Sequence, residues 1–371
     1  MTQSTPYTYI HYSDSIEVQQ PDEQEISQKI VDSMARVNRL MYEKHRHAIR
    51  DAHAKSHAIL KGQLQVYENL PEHLAQGLFA EPKTYPIIVR FSTAQGAIVP
   101  DKMSAFRGMA IKIIGVEGEK LLPELSDAVT QDFLLVNYPV IPTGTINEYL
   151  KLQENLEKQA DSGELFQQIA QKAAVGVQNV LAAVGLADDT NELSAPGPHL
   201  LGDTYFSMAA LRFGDYVAKI NVKPLSENVR ELSGKKIDED IIDADENAFL
   251  TKITADFFQS NIAEYEMSAQ LCTDLNIMPV EDGSVQWPED KSPYQPVAKL
   301  TFLPQQTFSP ERRVYADDTL SFNPFHCLPA HRPLGNIMRV RKLAYETSSK
   351  YRHHMNALAR VEPKSITELP D

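Results

Sequence analysis

Gly335-Asn336-Ile337-Met338-Arg339-Val340-Arg341-Lys342-Leu343-Ala344-Tyr345-Glu346-Thr347-Ser348-Ser349-Lys350-Tyr351-Arg352-His353-His354 is free of proline and rich in good helix formers. It follows the Pro/Gly-rich run Leu328 to Gly335, so it reads as a helix starting after a loop. Arg341 and Tyr345 stand four apart and project from one face of that helix. A fixed guanidinium beside a phenol favours the phenolate, whose ordinary pKa is near 10.

A tyrosine held as phenolate is a hard anionic ligand, and one of its uses is as the axial ligand of haem iron. Arg352 lies two turns beyond Tyr345 on nearly the same side, within reach of a propionate. The bland alternative is an amphipathic helix with an arginine packed on a tyrosine ring. The choice between them rests on whether the rest of a pocket can be found upstream.

Composition narrows the field. The chain has 371 residues, 42% hydrophobic and 23% charged, with a formal net charge of −14. That length buries a sizeable core. The negative charge disfavours nucleic acid and anionic membranes as partners. Two cysteines, Cys272 and Cys327, in a chain this long fit a reducing compartment. The first 28 residues are polar and acidic with no apolar leader core, and no run approaches the roughly 20 apolar residues of a membrane span. A cytoplasmic setting is expected.

Residues 1–21 show no sustained period and read as an N-terminal arm, ordered by packing on a partner; residues 22–371 read as one domain. Ile26, Ile30, Val31, Met34, Val37, Leu40 and Met41 recur at helical spacing. Short strands are expected at the end of 50–66 and at 85–93, 106–114, 130–137, 216–223, 263–271 and 296–302. Helices are expected within 145–184, as structural cover, and near 248–259. His199 falls in a Pro/Gly loop and reads as exposed. The adjacent pair His353 and His354 reads as surface, since helical geometry turns the two in different directions.

Several motifs in order carry a resemblance. Arg50-x-x-His53-Ala-Lys runs into a strand, and Arg90-Phe-Ser92-Thr closes another. Phe106-Arg-Gly feeds a third, Trp287-Pro precedes Pro296-Val-x-Lys-Leu, and Leu320-Ser-Phe322-Asn-Pro leads to Arg341-x-x-x-Tyr345 and Arg352. This series resembles the haem catalases over roughly residues 50–352. The resemblance implies an α+β fold: an antiparallel β-barrel with surrounding helices and a proximal haem helix. It implies haem b with Tyr345 as iron ligand, Arg341 holding that ligand ionised, and His53 as distal catalytic residue steadied by Ser92. Arg50, Arg90 and Arg352 would hold propionates, and Phe322 would contact the ring.

Two departures matter. One extra residue separates His53 from Gly62, which leaves His57 as a rival distal base. Catalases carry an asparagine before the strand at 130–137; here that place holds Ala128 and Val129, with Gln131 as a substitute if it points inward. The implied activity is haem-dependent processing of hydrogen peroxide or organic hydroperoxides, by a catalase or peroxidase cycle. The alternatives are a fatty-acid hydroperoxide isomerase of the allene oxide synthase type, or a haem-binding protein with little turnover. With little chain after Arg352, a trimmed core is expected. The arm and an exposed amphipathic helix point to a homo-oligomer, dimer or tetramer.

Overall fold

The computed structural model describes residues 7–96, 98–103, 105–160 and 197–371. The first helix, α1 (Glu23–His45), follows the apolar spacing and ends at Arg46, which adopts a left-handed conformation with φ of 54°. Its buried stripe packs on α2 (Ile146–Ala160) and on Val340. What the helical pattern suggested for residues 161–184 lies outside the described residues.

The sheet is wholly antiparallel. Strands β1 (Ser56–Val66), β2 (Thr84–Thr93), β3 (Arg107–Ile114) and β4 (Thr130–Val136) form one wall. Strands β5 (Tyr205–Phe206), β6 (Leu211–Phe213), β7 (Tyr216–Pro224), β8 (Ala263–Leu271) and β9 (Gln295–Phe302) form the other. The order is β5-β4-β3-β2-β1-β9-β8-β7-β6, and β5 also pairs with β7. That last pairing, Tyr205 with Val222 and Phe206 with Asn221, closes eight strands into a barrel. Closure removes the free edges that an open sheet would leave.

Alternate residues of each strand point inward, and these build the main core. Ala58, Leu60, Val89, Phe91, Met109, Ile111, Ile220 and Met267 belong to it. The opposite parity faces outward on the β2–β4 wall. There Arg90 pairs with Ala110 and Ser92 with Gly108, while Gly108 pairs with Val136 and Ala110 with Leu134. Outward residues on this wall are buried or, like Ala110 and Leu134, partly buried, because other elements cover them. Helix α3 (Phe249–Phe258) packs beside β1. Helix α4 (Asn336–Met355) packs on α1 and α2 and faces the outside of the barrel wall.

Tyr7 to Pro21 is docked on the chain's own barrel rather than left for a partner to order. Ile10 N–H donates to Cys272 O at 2.8 Å and Tyr12 N–H to Asp215 O at 2.8 Å. Tyr9 is buried in the core. Glu17 reaches the start of α4, where its carboxylate accepts from Gly335 N at 2.9 Å. Both cysteines are free and buried. No helix among the described residues is long and apolar enough to cross a membrane.

Candidate active site

The loop between α1 and β1 carries Arg50 and His53 to the end of the barrel wall. His53 N–H donates to Ala94 O at 3.0 Å and Ala54 N–H to Gln95 O at 2.9 Å, which pins the loop to the far end of β2. His53 takes a left-handed backbone, φ 54°, a conformation costly for a side chain with a β carbon. Its ring lands against Ser92, with Nδ1 and Oγ 3.0 Å apart. Gly108, on β3, lies beneath the ring: a β carbon there would stand 2.5 Å from Nδ1 and Cε1. Burial, then the charges of Arg90, Arg341 and Arg50, pull the imidazole pKa down to about 3. His53 is therefore neutral at physiological pH, with one ring nitrogen able to accept a proton.

Helix α4 supplies the opposite wall. Gly335 caps it with φ of 94°, and a β carbon there would meet Val280 O at 2.4 Å. Glu281 accepts from Asn336 N at 2.8 Å, so carboxylates sit at the positive end of the helix. Arg339 ties Glu17 (2.7 Å), Glu23 (2.5 Å) and Glu281 (2.9 Å) together, fixing the helix to α1 and the arm. Two residues on, Arg341 Nη2 donates to Tyr345 Oη at 2.5 Å. Burial would lower the Arg341 pKa, but its electrostatic contact and hydrogen bond with Tyr345 turn the shift upward. The tyrosine oxygen is thus an acceptor from a permanently charged donor.

Three guanidiniums meet at a third edge. Arg50 donates to Ala316 O (2.7 Å), Asp317 O (2.8 Å) and Leu320 O (2.9 Å). Arg90 Nε donates to Asp317 Oδ1 at 3.0 Å, and Arg352 Nη2 to Leu320 O at 3.0 Å. Arg352 is pulled down to about 10 by burial first and then by Arg90. Burial would raise Asp317, but Arg90 and Arg50 hold its carboxyl below the usual range. Asp317 is the carboxylate bonded directly to this cluster, while Asp51 and Asp318 act on it from further off, so the edge is rich in buried positive charge. Arg352 Nε is buried with no hydrogen-bond partner among the described residues. Both features fit the two propionates of a haem, since a buried cation needs a counter-charge.

His53, Ser92, Arg50, Arg90, Phe322, Arg341, Tyr345 and Arg352 all line one cavity of ≈ 260 Å³ between barrel wall and α4. Its remaining walls are largely apolar, among them Met34, Met109, Leu134, Ile141, Met208 and Ile337. A flat apolar ring with two acidic tails matches this division of polarity.

Other expectations fail for physical reasons. His57 does not line the cavity. It is fully buried on β1, with neither ring nitrogen hydrogen-bonded to a described residue, and Asp101 Oδ1 lies 3.8 Å from Nδ1. Gln131 does not line the cavity; it is sealed elsewhere by accepting from Leu328 N at 2.9 Å. No asparagine or glutamine stands among the described residues that line the cavity. His199 is half-buried, its Nδ1 accepting from Leu201 N at 3.2 Å. His353 is buried, with Nδ1 2.7 Å from Ser349 O and Nε2 3.0 Å from Thr319 O.

Sequence reasoning missed Asp51, Tyr149 and Asp317. Asp51 lines the cavity, and burial pushes its carboxyl up against a hydrogen bond from Ser348. Tyr149, on the α2 stretch taken as cover, lines the cavity too and is pushed up to about 12 by burial, then by Asp51. Its place within the helical period was visible, but not which face met the cavity.

No family model and no curated protein matches the sequence. Solved structures do match. A fungal catalase aligns with 100% of this chain and 72% of its own, at 14% identity and TM-score 0.62. A bacterial catalase aligns with 87% of this chain and 62% of its own, at 15% identity and TM-score 0.59. The architecture is thus an α+β antiparallel barrel with helices around it, and that barrel is the catalase fold. The chain spans under two thirds of the bacterial structure and under three quarters of the fungal one, a shorter form of that fold.

Proposed function

We propose that this chain is a haem-dependent oxidoreductase acting on peroxides. The observation that carries the reading is the single cavity in which Tyr345, bonded by Arg341, shares space with His53, bonded by Ser92, and with three arginines at one edge. Tyr345 would hold the iron through its phenolic oxygen, and Arg341 would keep that oxygen anionic. Arg50, Arg90 and Arg352 would neutralise the propionates, with Phe322 against the ring. Haem bound there supplies a redox-active iron at which the O–O bond of a peroxide can be broken.

The chain's own part is proton handling. Neutral His53 accepts the proton from one peroxide oxygen and delivers it to the other, so that the departing oxygen leaves as water or alcohol. A depressed pKa suits that exchange, because the ring releases what it takes. Ser92 keeps the imidazole aimed into the cavity. The apolar walls exclude water around the reacting atoms.

A second reading has its own support. With no side-chain amide among the described cavity-lining residues, no amide there orients a second small peroxide, which favours organic hydroperoxides, reduced by a donor or isomerised. The test is turnover by hemin-reconstituted protein. Oxygen evolution from hydrogen peroxide marks a catalase, and dye oxidation without oxygen a peroxidase. Loss of a lipid hydroperoxide without a donor marks the isomerase. Haem binding with none of these marks a binding protein and overturns the enzymatic proposal. A cytoplasmic homo-oligomer belongs to the same proposal, supported by the acidic charge and the two free cysteines.

A further inference from the structure

The arginine edge contains a device that the haem reading does not require. After the short helix Pro310–Val314 the chain widens into a π turn, Tyr315–Thr319, closed by Leu320 N donating to Tyr315 O at 2.9 Å. Such widened turns free carbonyls from the helical ladder and occur often at functional sites. Here the freed carbonyls of Ala316 and Asp317, with that of Leu320, take the Arg50 donors. The Asp317 carboxylate then bridges two buried cations, Oδ1 lying 2.9 Å from Arg90 Nη2 and 3.2 Å from Arg50 Nη1, while the exposed Arg313 Nε stands 3.8 Å from Oδ2. Its second oxygen accepts from Ser56 Oγ at 3.0 Å, which fixes the carboxylate to β1.

We propose that Asp317 is the resident counter-ion of this arginine cage, a positioning residue that holds the cage together in the ligand-free protein and offsets part of its charge. The proposal rests on reading the cavity as a haem pocket. In Asp317→Asn, Arg50 keeps three carbonyl partners, whereas Arg90 keeps Ala54 O at 3.3 Å and at best an uncharged amide oxygen. Removing the negative charge therefore leaves Arg50 in place and three guanidiniums repelling one another. The ligand-free protein loses stability, and the same surplus charge draws propionates more strongly.

The two effects have opposite signs, which a packing residue would not produce. In Asp317→Asn, the melting temperature of the apoprotein falls by about 3 °C, while hemin affinity, followed by absorbance titration, rises about tenfold. Asp317→Glu, which keeps the charge, stays near wild type in hemin affinity. A fall in both stability and affinity for Asp317→Asn, or no change in affinity, overturns the proposal. If wild-type protein binds no hemin, the haem reading fails on its own, and the counter-ion role is decided on stability alone. Arg90→Gln placed in the Asp317→Asn background should then restore the lost melting temperature, because it removes one repelling cation. Additive losses in the double variant contradict the role.

Discussion

The His53 imidazole hangs between two fixed points, Ser92 Oγ at 3.0 Å from Nδ1 and the bare Cα of Gly108 below the ring. If that ring moves the peroxide proton, His53→Ala should bind hemin as wild type does and lose at least about a hundredfold in peroxide turnover. Ser92→Ala should lose less, about tenfold, because it only misaims the ring. Stopped-flow consumption of peroxide by the reconstituted variants measures both. Full turnover by His53→Ala removes His53 from the reaction.

Gly108→Ala tests the same ring from beneath. The added methyl cannot share space with an imidazole 2.5 Å away, so the ring must shift from its place beside Ser92. The expected cost to folding is about 1–3 kcal/mol, typical of overpacking. Turnover should fall towards that of His53→Ala while hemin still binds. A variant as active as wild type would mean that the ring position does not matter.

Much of this was legible in the sequence because it is periodic or motif-bound. The alternation of β2 put Arg90 and Ser92 on one face, and helical spacing put Arg341 beside Tyr345. Strands β5 and β6 were not readable, since two or three residues carry no period, although β5 closes the barrel. Asp317 escaped because a π turn shifts side-chain directions that an α-helical count would assign. The arm's own-chain docking depends on pairings such as Ile10 with Cys272, far apart in sequence.

A buried ionic cluster outside the cavity governs acid stability. Lys112 Nζ lies 2.8 Å from Asp132 Oδ1 and 2.7 Å from Glu362 Oε2, and His326 Nδ1 lies 3.2 Å from Glu362 Oε1. Burial would raise the Glu362 carboxyl, but Lys112, then His326, hold it well below the usual carboxylate range. A depressed acid stabilises the fold above its unfolded pKa, about 4.3, and that contribution drains away as pH falls below it. Glu362→Gln should cost about 3 kcal/mol at pH 7 and flatten the loss of stability with acid. Urea unfolding at pH 7 and pH 4 checks this; an unchanged difference between the two pH values for wild type and variant would contradict it.

The central claim is that Tyr345 is the iron ligand of a haem pocket, and the absorption spectrum of hemin-titrated protein tests it most directly. Wild type should take up one hemin per chain and show the charge-transfer band of a phenolate on ferric iron, and Tyr345→Phe should lose that band or the hemin itself. A protein that stays colourless after reconstitution, or a Tyr345→Phe spectrum identical to wild type, contradicts it.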